Sequence, residues 1–205
     1  MKAYRFTMDF DEVIRRRRMC RDFSDRAVGR EVLDRVLDRA RRGPSAGHTQ
    51  GWAFVVLDDP SETARFWTAA ADPEWLSAPT LPGVVRAPAI VVPWSSEAAY
   101  RDRYAETDKG PGGPAGNWRV PYWTVDVAFA TMLLLLGAEA EGLGALFFAL
   151  RPGVPERLRI ELAVPVEWEP IGAVALGWPA PGRGPAGSAG RGRRPLDEVV
   201  HRGRW

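Results

Sequence analysis

The stretch YWTVDVAFATMLLLLGAEAEGLGALFFAL, residues 122–150, carries both halves of the fold in one run. From Tyr122 or Trp123 to Glu141 the side chains are apolar nearly all round, the pattern of a helix enclosed by the rest of the protein rather than one with a single wet face. Gly142 and Gly144 then break the period, and Ala145 to Leu150 reads as a strand. The most apolar portion, Val125 to Ala140, is shorter than the ~20 residues that a membrane span needs. Asp126, Glu139 and Glu141 interrupt or flank it, so it is expected in the middle of a core and not in a bilayer.

Working outward, Phe10, Val13 and Ile14 followed by arginines predict a first amphipathic helix ending near Arg21, with Asp9 or Asp11 placing negative charge at its first turn. Val32, Leu33, Val36, Leu37 and Ala40 recur at helical spacing until Gly43-Pro44 stops them. Trp52 to Leu57, Ala89 to Trp94 and Ile171 to Gly177 read as strands, and Pro155 to Ala163 as a helix. Between Ser95 and Pro121 a short helical start gives way to Gly and Pro, predicting a lid or insertion at about 95–121. From Pro179 to Gly192 the chain is too poor in apolar bulk to pack alone, so about 179–205 is expected to form an arm that docks on a second subunit. These elements make one domain, 1–205.

Composition narrows the function. With 205 residues, 45% hydrophobic and 26% charged, the chain can bury an ordinary core, which excludes disorder throughout. The formal net charge is only +2, with arginines gathered near the two ends, so a local anion site is favoured over a polyanion-binding surface. The single Cys20 excludes an intramolecular disulfide, and two histidines beside one thiol give no metal-ligand cluster. The N-terminal MKAYRFTMDFDEV has no apolar run after a positive segment, so no secretory signal is expected and the protein is placed in the cytoplasm. His48, His201 and Cys20 offer no recognisable triad, and Cys20 reads as a small packed residue.

Three clusters carry the chemistry. Arg15, Arg16, Arg17, Arg18 and Arg21 crowd like charges that repel unless an anion sits among them, and phosphate is the obvious anion; the plainer reading is a solvated basic face. Pro44-Ser45-Ala46-Gly47-His48-Thr49-Gln50-Gly51-Trp52 is a polar loop whose small residues let a ligand near the backbone, or else simply a turn. Arg191, Arg193 and Arg194 precede Pro195 without nearby acidic partners until Asp197, which alone suits a solvated tail.

In order and separation these pieces resemble the flavin-dependent nitroreductase family over nearly the whole chain. The matching residues are Arg17-Arg18-Met19-Cys20-Arg21-Asp22-Phe23, PSAGHTQGW at 44–52, GLGALFF at 142–148 and Arg193 to Val200. The resemblance implies an α+β fold with a central, mainly antiparallel sheet surrounded by helices, in an intertwined homodimer that holds FMN. Arg17, Arg18 and Arg21, joined by Arg191 and Arg193, would then hold the phosphate and ribityl end, with Met19 among the cofactor-binding residues but lacking the hydrogen bond of the usual serine. Pro44, Ser45 and Ala46 would come from the partner subunit to the isoalloxazine, and Gln50 would also bind the cofactor. Phe147 and Phe148 would stack on one face of the ring, and the N–H groups of Ala149 and Leu150 would point at N5 and O4. The chain departs from the family pattern at Met19 (usually serine), His48 (asparagine), Gly51 (proline) and Ala149 (glycine or a small acidic turn). Those departures, with its Arg, Gly and Ala richness, suggest an actinobacterial-looking branch.

The same resemblance implies NAD(P)H as reductant, a small and conjugated or aromatic acceptor, and chemistry carried by flavin N5 with no catalytic side chain or metal. In the lid, Tyr100, Arg103, Tyr104, Lys109, Trp118 and Tyr122 have the composition of a pocket for a planar or anionic molecule, or of aromatics pinning a loop. Alternatives within the family are dehydrogenating, flavin-fragmenting or deazaflavin-using enzymes; a non-catalytic flavin carrier is a further one. Nucleic-acid binding is disfavoured because no base-stacking aromatics interleave with the arginines.

Overall fold

Two strands form the centre of the molecule: β2 (Ala89–Ser95) and β5 (Ala173–Gly177) are buried along their whole lengths. Both are covered on two faces, which is why they read as continuous apolar runs rather than alternating ones. In the computed structural model, which describes residues 9–70, 81–109, 118–181 and 191–205, the sheet order is β1-β2-β5-β3. Here β1 is Trp52–Leu57 and β3 is Gly144–Phe148, and a short β4 (Glu169–Pro170) also pairs with β2. Each of these pairings is antiparallel.

The side chains of β2 and β5 alternate between two cores. On one face Ile90, Val92, Trp94, Ala173 and Ala175 pack with Phe66 and Trp67 of α3 (Pro60–Ala70) and with Val154 and Leu158 of the helix Val154–Glu161. On the other, Ala89, Val91, Val174 and Leu176 pack with Leu33, Val36 and Ala40 of α2 (Arg30–Ala40) and with Leu134, Leu135 and Ala138 of the helix Tyr122–Ala140. The result is helices, sheet, helices: the α+β architecture with an antiparallel sheet. The remaining helices are α1 (Phe10–Arg16), α4 (Leu81–Val85) and α5 (Glu97–Ala105). We number Tyr122–Ala140 as α6 and Val154–Glu161 as α7.

Several expectations are corrected. The first helix stops at Arg16, not near Arg21, because Arg17 turns to φ −48°, ψ 122° and the chain goes over to the sheet, where Cys20 N–H donates to the Ala145 carbonyl at 2.9 Å. Strand β3 ends at Phe148 and not Leu150. Helix α3 was not foreseen, although Asp59 caps it by accepting from Ser61 N–H at 2.8 Å and Pro60 opens it. Helix α6 is long and apolar enough to cross a membrane, but it packs on α2 and the sheet. It is not enclosed all round: Tyr122, Phe129 and Met132 are exposed. The lid expectation falls partly outside the described residues at 110–117, and that of the arm at 182–190.

Candidate functional site

The polar loop after α2 has an unusual backbone. Gly47, His48 and Gln50 all take positive φ, at 62°, 55° and 53°. For His48 and Gln50, which carry a Cβ, this conformation costs on the order of 1 kcal/mol or more and persists only where the surroundings over-determine it. The surroundings do so here. Ala46 N–H donates to Asp126 Oδ2 at 2.7 Å, Gln50 N–H to Ser45 Oγ at 2.9 Å, and the Thr49 hydroxyl to the Ala46 carbonyl at 2.6 Å. Arg103 Nε donates to the Gly47 carbonyl at 3.0 Å. Beyond the loop, Ser96 N–H donates to the Gly51 carbonyl at 3.1 Å.

Asp126 is the only charge between Tyr122 and Ala138, and it is 3% exposed. Beside the Ala46 amide, its Oδ2 accepts from the Tyr100 hydroxyl at 2.8 Å. Tyr100 is fully buried, and burial first, then the Asp126 carboxylate, pushes its phenol far above the ordinary range, so it stays protonated and donates. Tyr100 is therefore part of the core beneath the loop, not an open pocket wall as expected. Asp126 was missed as a site residue; the signal for it was a lone carboxylate in an otherwise apolar helix.

The arginine segment runs beside β3, with Met19 bridged to Ala145 in parallel. Gly144 allows this approach, since a Cβ there would lie 2.7 Å from Cys20 Cβ. The five guanidinium groups have different fates. Arg15 pairs with Glu12 and Arg16 with Glu139 at 3.3 Å. Arg18 folds back, Nη1 donating to its own neighbours' carbonyls at Arg15 and Arg17, and Arg21 Nη1 reaches the Met19 carbonyl at 3.5 Å. Arg17 differs: its Nη1 is buried and has no hydrogen-bond partner. Cys20 is half-buried, and burial raises its thiol, so it is no activated thiolate.

The two phenylalanines cannot cover one face of a ring together. Successive strand residues point to opposite faces, and Phe147 packs with the α2–α6 core while Phe148 packs with the α3–α7 core. Phe148 also stacks on Trp67, ring centroids 5.8 Å apart and planes within 13°. Ala149 is exposed and Leu150 half-buried just past the strand end.

The lid residues lean on the loop. Trp118 is the hub, edge-on to Tyr104 at 4.8 Å and to Tyr122 at 6.1 Å. Lys109 Nζ lies 5.0 Å over the Tyr104 ring, and both crowd Gly47, where a Cβ would come within 2.9 Å of Tyr104 Cε2 and 3.2 Å of Lys109 Nζ. Arg103, beyond its bond to Gly47, is held by Asp108 at 2.6 and 2.7 Å and Glu106 at 3.1 Å, so its charge is already answered. Arg191 and Arg193 lie apart from this group: every residue from 191 to 205 is exposed, and Arg194 pairs with Glu198 at 3.1 Å.

The architecture and the order of these pieces are shared with known proteins. The profile of the Nitroreductase family matches residues 14–178. A protein of Methanothermobacter thermautotrophicus named NADH dehydrogenase/NAD(P)H nitroreductase is 29% identical over 175 residues, 84% of this chain and 78% of its own. The 5,6-dimethylbenzimidazole synthase of Rhodospirillum rubrum is 28% identical over 188 residues, covering 85% of this chain and 83% of its own. Among solved structures, an FMN-dependent nitroreductase of Clostridium difficile R20291 superposes with a TM-score of 0.68 at 19% identity, covering 94% of this chain and 98% of its own. The family profile over residues 14–178 and the shared fold thus set the class of this helix–sheet–helix domain. The chain belongs to the Nitroreductase family.

Proposed function

We propose that this chain is an FMN-dependent oxidoreductase that draws on NAD(P)H and works as a homodimer. The observation that carries the reading is Arg17. A buried guanidinium nitrogen without a partner costs on the order of 1–3 kcal/mol or more, and a phosphate group placed against it would remove that cost with a charge-assisted bond. The site therefore fits a phosphorylated flavin. Family membership and the relative named as an NAD(P)H nitroreductase support the same cofactors.

Bound FMN would supply the hydride transfer, from nicotinamide to acceptor. The protein's own work is to bind, orient and exclude water. Arg17, with Arg18, Met19 and Arg21, would hold the phosphate and ribityl end, and Arg191 and Arg193 would join them from the arm. Pro44, Ser45, Ala46 and Gln50 would meet the ring from the partner subunit, Phe147 and Phe148 would border it from separate cores, and the Ala149 and Leu150 amides would face its polar edge. Tyr104, Lys109, Trp118 and Tyr122 would border a small aromatic or conjugated acceptor, with Arg103 and Tyr100 acting through the loop they hold.

Two uncovered surfaces support the dimer. Tyr122, Phe129 and Met132 on α6 are 41–48% exposed, and the segment 191–205 presents Leu196, Val199, Val200 and Trp205 to solvent within one chain. Apolar patches of this kind mark interaction sites. The cytoplasm and an actinobacterial-looking branch remain part of the proposal. A second reading, a flavin-fragmenting relative, is favoured by the likeness to the dimethylbenzimidazole synthase.

The test is anaerobic: FMN-loaded protein is mixed with NADH or NADPH and then with a nitroaromatic acceptor. Bleaching of the flavin absorbance by nicotinamide and its return on adding acceptor are expected. A bound flavin that neither nicotinamide bleaches would contradict the enzyme, and loss of the flavin skeleton during turnover would favour the second reading.

A further inference from the structure

We infer that Tyr100 and Asp126 are positioning residues that clamp both ends of the flavin-facing loop, and that they dictate Gly51 where the family pattern carries proline. The inference rests on the reading of that loop as part of the FMN site, and deepens it.

The clamp is a short buried chain of hydrogen bonds and ring packing. At one end the Ala46 amide donates to Asp126 Oδ2 at 2.7 Å; in the middle the Tyr100 hydroxyl donates to the same oxygen at 2.8 Å; at the other end the Tyr100 ring lies against Gly51, where a Cβ would come within 2.4 Å of Cε2, and the Gly51 carbonyl accepts from Ser96 N–H at 3.1 Å. The amide of position 46 is thus tied, and position 51 packed, through two side chains that are 0% and 3% exposed. Between the tied ends lie Gly47, His48 and Gln50, the three residues with positive φ. A loop in that conformation needs outside anchors, and buried polar networks that are fully satisfied fix a unique geometry.

Two consequences are particular to this chain. Proline at 51 has no room, since a Cβ there would lie 2.4 Å from Tyr100 Cε2 and 2.9 Å from Cδ2. The departure from the family pattern is therefore compensation for a tyrosine seated under the loop. In addition, both backbone groups of Ala46 are committed, its amide to Asp126 and its carbonyl to Thr49. Ala46 can then offer the flavin only its methyl group, and polar recognition from this loop falls to Ser45 and Gln50.

The experiment uses the full-length protein and the variants Tyr100→Phe, Asp126→Asn and Gly51→Pro. FMN affinity is read by quenching of flavin fluorescence, and ring placement by the visible circular dichroism of bound flavin. Tyr100→Phe and Asp126→Asn are each expected to bind FMN roughly tenfold more weakly, the effect of losing one buried hydrogen bond, and Gly51→Pro at least as weakly because its ring meets Tyr100, all with an altered dichroism band. Tyr100→Phe and Asp126→Asn belong to one network, so combining them should cost less than the sum of the two. Variants that melt earlier but bind FMN with wild-type affinity and dichroism would overturn the inference, since that is what a purely structural role predicts. So would a Gly51→Pro protein that binds FMN as tightly as wild type. Should Asp126→Asn fail to fold, Tyr100→Phe, which keeps the ring, decides. Amide hydrogen exchange in flavin-free protein separates the clamp from the functional reading. Faster exchange at Ala46 in Tyr100→Phe, with β2 and β5 unchanged, is expected, and unchanged exchange at Ala46 overturns the clamp whether or not wild type binds FMN.

Discussion

At the scale of single residues, five neighbouring arginines with one chemistry have separate duties. Arg15 and Arg16 are answered by Glu12 and Glu139, and Arg18 by backbone carbonyls, while Arg17 alone keeps a buried nitrogen unanswered. Arg17→Ala is therefore expected to raise the FMN dissociation constant between roughly tenfold and a hundredfold, as for a charge-assisted bond. The melting temperature of the flavin-free protein should not fall, because the deleted group satisfies nothing there. Fluorescence titration beside thermal melting checks both halves, and an unchanged dissociation constant would remove Arg17 from the site. Arg18→Ala, at an exposed position, should cost less. The proposal of an anion site among these arginines starts from their crowding in the sequence. Which of them was free was not legible there, because Glu139 is more than a hundred residues away and only folding brings it to Arg16.

At the scale of elements, the interior strands and α2 and α6 were legible because burial on two faces writes apolar runs and helical spacing into sequence. The end of α1 was not, since the Cys20 to Ala145 hydrogen bond that draws the chain away is a tertiary contact. Nor was the parting of Phe147 and Phe148 into two cores, although the alternation of a strand implied it. Another tertiary contact sets an acid limit. Glu141 caps the C-terminus of α6, where a carboxylate opposes the helix dipole. It is kept there by Arg35 of α2 at 2.7 and 3.0 Å and by Arg39 at 2.7 Å. The Arg35 hydrogen bond, with Arg39, holds its carboxyl below the ordinary 4.5. A carboxyl lowered by folding adds stability above its unfolded value that is lost as pH falls through the folded one. Glu141→Gln should thus cost about 1–2 kcal/mol at neutral pH and flatten the loss of stability below about pH 4.5. Urea unfolding across pH checks this, and parallel pH curves for variant and wild type would contradict it.

At the scale of the whole molecule, the proposed dimer rests on apolar surfaces exposed in one chain. Phe129 and Met132 on α6, and Leu196, Val199 and Trp205 on the arm, are 43–99% exposed. Phe129→Asp with Met132→Asp should convert the protein to a monomer and abolish flavin binding together, because the loop at 44–50 would no longer reach its partner's arginines. Light scattering with a flavin titration reads both, and a monomeric variant that still binds FMN would place the site within one subunit. The expectation that the arm docks elsewhere rests on its poverty in apolar bulk from Pro179 to Gly192, and the surface proposed to receive it lay beyond anything one sequence encodes. The most direct test of the central claim is the flavin-to-protomer ratio at measured mass, obtained by light scattering with absorbance at the flavin band on FMN-saturated wild type. A species of twice the chain mass carrying one FMN per protomer is expected. A monomer with full flavin content, or a dimer that takes up none, would contradict it.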